Sequence, residues 1–210
     1  MKIGFFGDSF CAHLQNPHSI EHGYTTYIQM LINEGFEITH MGKGSSSVWD
    51  LILIQFGQIE TLPDVCVFCW SEESRLFHRT ERTLNFRSVE SKKTKIHSVA
   101  NDYYVHLYDQ EKHRLEYEAL MYYFDNVILK KFPNTKFIHL WSFVPLHRWS
   151  TGVEVRPALY ELSKGEYDTV PPNDPRANHL SGDDRNRAVA EVIKSAINNY
   201  SDGFLINLTR

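Results

Sequence analysis

The stretch Lys2-Ile3-Gly4-Phe5-Phe6-Gly7-Asp8-Ser9-Phe10 decides the fold. It is a short apolar run that stops abruptly at Gly-Asp-Ser, which is how the first strand of an α/β sheet presents a reactive side chain. A strand that ends on glycine lets the chain turn sharply, so that the next hydroxyl projects from the carboxyl edge of the sheet beside backbone N–H groups. Ser9 is therefore a candidate nucleophile. The same tripeptide also makes an ordinary turn with a helix N-cap, so the local sequence leaves both readings open.

Beyond this stretch, apolar segments of strand and helix type alternate. The pattern predicts strand 2–6, helix 24–33, strand 36–40, helix 47–57 and strand 64–70, then a long middle section. Helix 112–131, strand 135–141, a loop, helix 183–199 and a final extended 204–208 complete it. Alternation of this kind means βαβ units and a parallel sheet covered on both faces. Ser47-x-x-Asp50 reads as a capping box with the shorter acid, and Ala188, Val189, Val192, Ile193, Ala196 and Ile197 mark the apolar face of the last helix.

A partner for Ser9 lies near the other end, in Asn173-Asp174-Pro175-Arg176-Ala177-Asn178-His179-Leu180-Ser181. Loops at the carboxyl ends of parallel strands gather along one edge, so a serine near the start and a histidine near the end can meet there. The chain has 11 histidines, and position rather than residue type singles out His179.

With both ends in view, the chain resembles the SGNH/GDSL hydrolase family, whose nucleophile lies in an N-terminal GDS block and whose catalytic histidine lies in a C-terminal block. Gly7-Asp8-Ser9-Phe10 matches the first block. Gly42-Lys43-Gly44-Ser45-Ser46-Ser47 stands where the family places its oxyanion-hole glycine; Gly44 is favoured, with Gly42 as the alternative. The resemblance implies a three-layer α/β/α fold with a flavodoxin-like parallel sheet of about five strands. It also implies a serine esterase or deacylase acting on a small acyl ester, such as an O-acetyl group on a carbohydrate. Two blocks depart from the pattern. After strand 64–70 the family has a Gly-x-Asn-Asp-like turn, and this chain has Trp70-Ser71-Glu72-Glu73-Ser74-Arg75, without the oxyanion-donating asparagine. Three residues before the histidine the family has aspartate, and here that position is Arg176, with Asp174, five before, the nearest preceding acid.

Acyl transfer needs a nucleophile, a base and N–H donors aimed at the developing oxyanion. Ser9 and His179 supply the first two, and the backbone N–H groups of Ser9 and Gly44 supply donors without any side chain. An ionised Glu72 is acceptor-only and would repel an oxyanion, so it is expected to point elsewhere, toward Arg75, or to be protonated by burial; a turn-capping salt bridge is the plainer alternative. Asp174 either orients the imidazole or belongs to a tight Asp-Pro turn, in which case a Ser9–His179 dyad remains. Asp8, Glu72, Arg75 and Trp149 are candidates for substrate contact, Trp149 being equally readable as a plug beneath its loop. A second function class stands beside the enzyme: a binding or structural protein that kept the fold and lost efficient chemistry.

The 210 residues fit one domain, 1–210, with an insertion or lid-like segment around 73–112 that begins basic and ends in Tyr103, Tyr104 and Tyr108. Those tyrosines can stack on sugar rings or pack on the body. With 22 Lys+Arg against 26 Asp+Glu the net charge is −4, which gives no global reason to expect nucleic acid or an anionic membrane. No apolar run approaches a membrane span, nothing before Phe5 reads as a signal peptide, and the expected compartment is the cytoplasm, a phage or virion-associated origin staying open. The three cysteines read as reduced core residues, Cys66 and Cys69 lying inside one strand, while Cys11 beside Ser9 is expected to be open to thiol reagents. His13, His18 and His22 read as loop residues. No metal or cofactor is called for, and oligomeric state leaves no mark.

Overall fold

The computed structural model describes residues 1–12, 23–81, 84–85, 89, 94–163, 180 and 182–208. Its strands are β1 (Lys2–Gly7), β2 (Glu37–His40), β3 (Val65–Trp70), β4 (Lys136–Trp141), β5 (Val153–Arg156) and β6 (Phe204–Asn207). They form a six-stranded sheet in the order β2-β1-β3-β4-β5-β6, and every pairing is parallel. The expectation of about five strands missed β5, because Val153-Glu154-Val155-Arg156 carries two charges in four residues. Burial of Glu154 is tolerated because its carboxylate accepts from Trp141 Nε1 at 3.1 Å, Arg148 Nη1 at 3.1 Å and Arg156 Nε at 2.6 Å.

The helices are α1 (Tyr27–Asn33), α2 (Val48–Asp50, widening into π-helical turns at Leu51–Phe56), α3 (Lys95–His106) and α4 (Gln110–Tyr123), then α5 (Leu159–Ser163) and α6 (Asp183–Asn198). Strand periodicity assigns the two faces of the sheet. Val65, Val67 and Cys69 of β3 join a core with Ile28 and Leu31 of α1 and Val189 and Ile193 of α6. Cys66, Phe68 and Trp70 of the same strand join a second core with Leu51, Tyr117, Met121 and Phe124. A strand buried on both faces between two helical layers is the three-layer α/β/α arrangement, as the sequence led us to expect. No helix among the described residues is long and apolar enough to cross a membrane.

The section 73–112 contains α3, started by Thr94, and a small separate core of Leu84, Val89, Ala100 and Tyr104. Its tyrosines serve packing: the Tyr104 hydroxyl donates to Leu84 O at 2.9 Å, and the Tyr108 ring stacks on His113 at 4.6 Å. Trp149 takes the plug reading rather than that of a substrate contact, being 1% exposed and stacked on His139 with ring centroids 3.8 Å apart. His139 is locked as one tautomer. Trp70 Nε1 can only donate, at 3.1 Å to Nδ1, and Thr151 O can only accept, at 2.9 Å from Nε2.

Candidate active site

In the strand order β2-β1-β3 the chain leaves β1 to one side and returns to the other, so the carboxyl ends of β1 and β3 flank a topological switch point. Crevices at such points are where open parallel sheets bind their ligands. Residues 8–12 leave β1 there and residues 71–75 leave β3 there, so the two sequence blocks that carry Ser9, Glu72 and Arg75 do converge.

Gly7 ends β1 with φ of 149°, in the region that favours glycine, and a Cβ at this position would collide with the carbonyl oxygen of Cys69 on β3. The turn it permits starts a single 3-10 turn, Ser9–Cys11, capped by Asp8, whose side chain accepts from Phe10 N–H at 3.1 Å. Asp8 is fully buried, so it anchors the turn rather than touching substrate. Its Oδ1 accepts from Ser142 Oγ, just beyond β4, at 2.9 Å, and its Oδ2 lies 3.6 Å from Arg75 Nη1. Ser9 is half-buried, and its hydroxyl bonds to none of the described residues.

Arg75 ties the turn after β3 to the glycine loop. Its side chain is 7% exposed; Nε donates to Glu72 Oε1 at 3.1 Å, Nη1 donates to Ser46 O at 3.3 Å, and the guanidinium lies over the Phe143 ring at 5.4 Å. The pairing expected between Glu72 and Arg75 is present. Beside Arg75 an open cleft of about 420 Å³ is lined by Val48, Trp49, Leu53, Leu76, Glu116 and Tyr117.

The glycine loop separates its two candidates. Gly42 N–H is engaged by Cys11 O at 3.0 Å, and a Cβ there would run into the Cys11 sulfur. Gly44 has open space around its Cα, and among the described residues neither its N–H nor that of Ser9 donates to any acceptor. An oxyanion site requires N–H groups not already committed to another acceptor. Ser45 comes next at φ of 61°, Ser46 Oγ donates to Lys43 O at 2.6 Å, and Ser47 Oγ caps α2 by accepting from Asp50 N–H at 3.2 Å.

Burial corrects one expectation. Cys11 lies beside Ser9 in sequence, yet its thiol is inaccessible, and burial, then the neighbouring Cys69, pushes its pKa well above the usual thiol value. Such a thiol is unreactive. His179, Asp174, Arg176 and the histidines 13, 18 and 22 lie outside the described residues. One residue of this region escaped the sequence reading: Gln55 is a single amide in the otherwise apolar Leu51-Ile52-Leu53-Ile54-Gln55-Phe56, and a buried polar group in such a run has a partner to find. No cluster of His, Cys, Asp and Glu able to hold a metal occurs among the described residues.

No family model matches the chain, and no curated protein matches it. Among solved structures it is similar to the crystal structure of an acetyl xylan esterase, AlAXEase, at 18% identity over 99% of this chain and 77% of that one, with a TM-score of 0.37. A likeness of that size carries no functional argument.

Proposed function

We propose that the chain is a serine hydrolase of SGNH/GDSL type that cleaves a small acyl ester, with Ser9 as nucleophile, His179 as base and Asp174 as the residue that orients the imidazole. The observation that carries the reading is the state of the Ser9 turn: it stands at the switch point of the sheet, fixed through Asp8, with the N–H groups of Ser9 and Gly44 undirected toward any described acceptor. Leu180, next to His179 in sequence, is buried in the same core cluster as Phe10, next to Ser9.

In this mechanism Ser9 Oγ attacks the acyl carbon while His179 takes its proton, and the oxyanion forms against the two N–H groups. The tetrahedral intermediate collapses to a Ser9 acyl ester as the protonated imidazole returns its proton to the leaving alcohol. Water, deprotonated by His179, then attacks the acyl carbon, and collapse of this second intermediate releases the acid as the imidazolium returns its proton to Ser9 Oγ. The substrate class is a small-molecule or carbohydrate ester such as an O-acetyl sugar. Glu72 is held by Arg75, and Arg75 also lines the open cleft beside it.

The turn after β3 favours a second reading, a binding protein of the same fold, because it holds an ion pair where the family pattern has a neutral donor. A fluorophosphonate probe separates the two. Stoichiometric labelling mapped to Ser9, lost in Ser9→Ala, supports the hydrolase, and inertness of the folded protein supports the binder.

A further inference from the structure

Gln55 is 8% exposed and belongs to the π-helical turns that extend α2. Its Oε1 accepts Gly7 N–H at 2.8 Å, and its Nε2 donates to Gly7 O at 3.0 Å. Because a backbone N–H only donates and a carbonyl only accepts, these two bonds fix the orientation of the amide. The same Nε2 lies 2.9 Å from Ser46 Oγ and 2.8 Å from Asp50 Oδ2. Two hydrogens therefore serve three acceptors, and at least one is shared. Gly7 O also receives Lys43 N–H at 2.9 Å, while the Ser46 hydroxyl closes back on Lys43 O. One carboxamide thus ties the last residue of β1, two before Ser9, to the loop that carries Gly44. The widened helix is part of the device, since π-helical turns shift side chains out of ordinary register and recur at functional sites.

We propose that Gln55 is a positioning residue that sets the Ser9 hydroxyl against the Gly44 N–H, so that the nucleophile and the oxyanion donor keep one relative geometry. This role rests on the hydrolase reading above. No other described side chain bonds both the N–H and the C=O of Gly7. An oxyanion donor acts mainly in the transition state, so loosening this clamp lowers kcat and leaves KM nearly unchanged. Displacement of about 1 Å between reacting groups costs on the order of a hundred-fold in rate.

The test uses the full chain with Gln55→Met, which keeps length and loses every hydrogen bond, and Gln55→Glu, which keeps an acceptor for Gly7 N–H and loses the donors. On an acetyl ester, with folded fraction checked by near-UV circular dichroism, Gln55→Met should lose kcat on the order of a hundred-fold at nearly constant KM. Gln55→Glu should regain kcat relative to wild type as pH falls, because a protonated carboxyl recovers one donor. Wild-type kcat in both folded variants overturns the role, as does a loss of kcat that only tracks the folded fraction. Should Gln55→Met fail to fold, the pH response of Gln55→Glu decides alone: parallel profiles of variant and wild type overturn the proposal. Failure of the hydrolase reading is told apart by the wild type, which would then resist fluorophosphonate at Ser9. In that case no kcat exists for Gln55 to control and the proposal falls with it, whatever amide exchange at Gly7 and Lys43 reports about the clamp.

Discussion

Replacing Arg75 by methionine removes a cation that faces Asp8 while keeping much of the bulk of the side chain. Asp8 is fully buried and the Arg75 side chain is 7% exposed, so the pair is screened little by solvent. Removing one partner of a buried ion pair costs about 3–5 kcal/mol, because the other is left uncompensated. Two features place Arg75→Met at the lower end, about 3 kcal/mol. The separation of 3.6 Å is long, and Asp8 Oδ1 keeps its bonds from Phe10 N–H and Ser142 Oγ. The pair with Glu72, 36% exposed, adds less than about 1 kcal/mol. Urea unfolding monitored by fluorescence of the buried Trp70, Trp141 and Trp149 would read this as a midpoint lowered by about 1–2 M. The corresponding fall in melting temperature is about 6–12 °C. Asp8→Asn completes the cycle. The double variant should be less destabilised than the sum of the single ones by about 1–3 kcal/mol. An Arg75→Met protein within about 0.5 kcal/mol of wild type, or strict additivity with Asp8→Asn, would refute the account of the bridge.

Acid should destabilise the fold through His139, whose pKa burial lowers from 6.5 to about 3. The unfolded chain takes up a proton below about pH 6.5 and the folded one does not, so stability present above that pH falls by up to about 1.4 kcal/mol per pH unit down to about 3. His139→Gln should flatten that part of a urea-midpoint profile, and equal slopes in variant and wild type would count against it. Asp125 adds to acid sensitivity below the ordinary carboxylate range: burial opposes its ionisation, but bonds from His147 and the Ser150 and Thr151 N–H groups outweigh this and hold its pKa well down. All three cysteines are free and buried, so a disulfide-exchange reagent should titrate none in the native protein and all three in denaturant; rapid native modification of Cys11 would contradict its burial. Glu72→Gln should leave esterase activity unchanged or modestly raised, since an amide donates where a carboxylate does not, and a large loss in folded protein would make Glu72 a working acid, base or substrate ligand.

The strands that could be read directly are those whose apolar runs end at turn residues. β1 and β3 place all but one of their residues in the core, and Gly7-Asp8-Ser9 terminates the first without ambiguity. Helix α6 was legible from its period: Val189, Val192, Ile193, Ala196 and Ile197 are buried as expected, whereas Ala188 is exposed and Ala190 takes the inward position. β5 was hidden by chemistry rather than by weak propensity. Glu154 looks like a surface charge until Arg148, Arg156 and the Trp141 indole are brought around it, and nothing local in the sequence announces three partners drawn from β4, the loop after it and β5 itself. Trp149 was undecided for the same reason. Its stacking partners, His139 and Trp70, come from two different strands.

At the candidate site the sequence exposed the reacting groups better than the groups that hold them. Ser9 and Gly44 were visible because short motifs that resemble the family's blocks carry them, while Asp8, Ser142 and Gln55 act through contacts spanning 134 and 48 positions along the chain. The turn after β3 carries the clearest consequence of such support. Arg75 bonds Ser46 O in the glycine loop and faces Asp8 in the nucleophile turn, so it binds together the two segments that supply Gly44 and Ser9. The family pattern places there an asparagine whose amide donates directly to the oxyanion. In this chain the same turn supplies a cation, paired with Glu72, that on the proposed hydrolase reading would steady the backbone donors instead. Loss of one oxyanion donor costs on the order of a hundred- to a thousand-fold in rate, so chemistry resting on two N–H groups is expected to be slower than in the complete pattern. On that reading it is also expected to depend more steeply on how those two groups are held, and variants of Arg75 and Gln55, which supply no reacting atom, are then predicted to slow it.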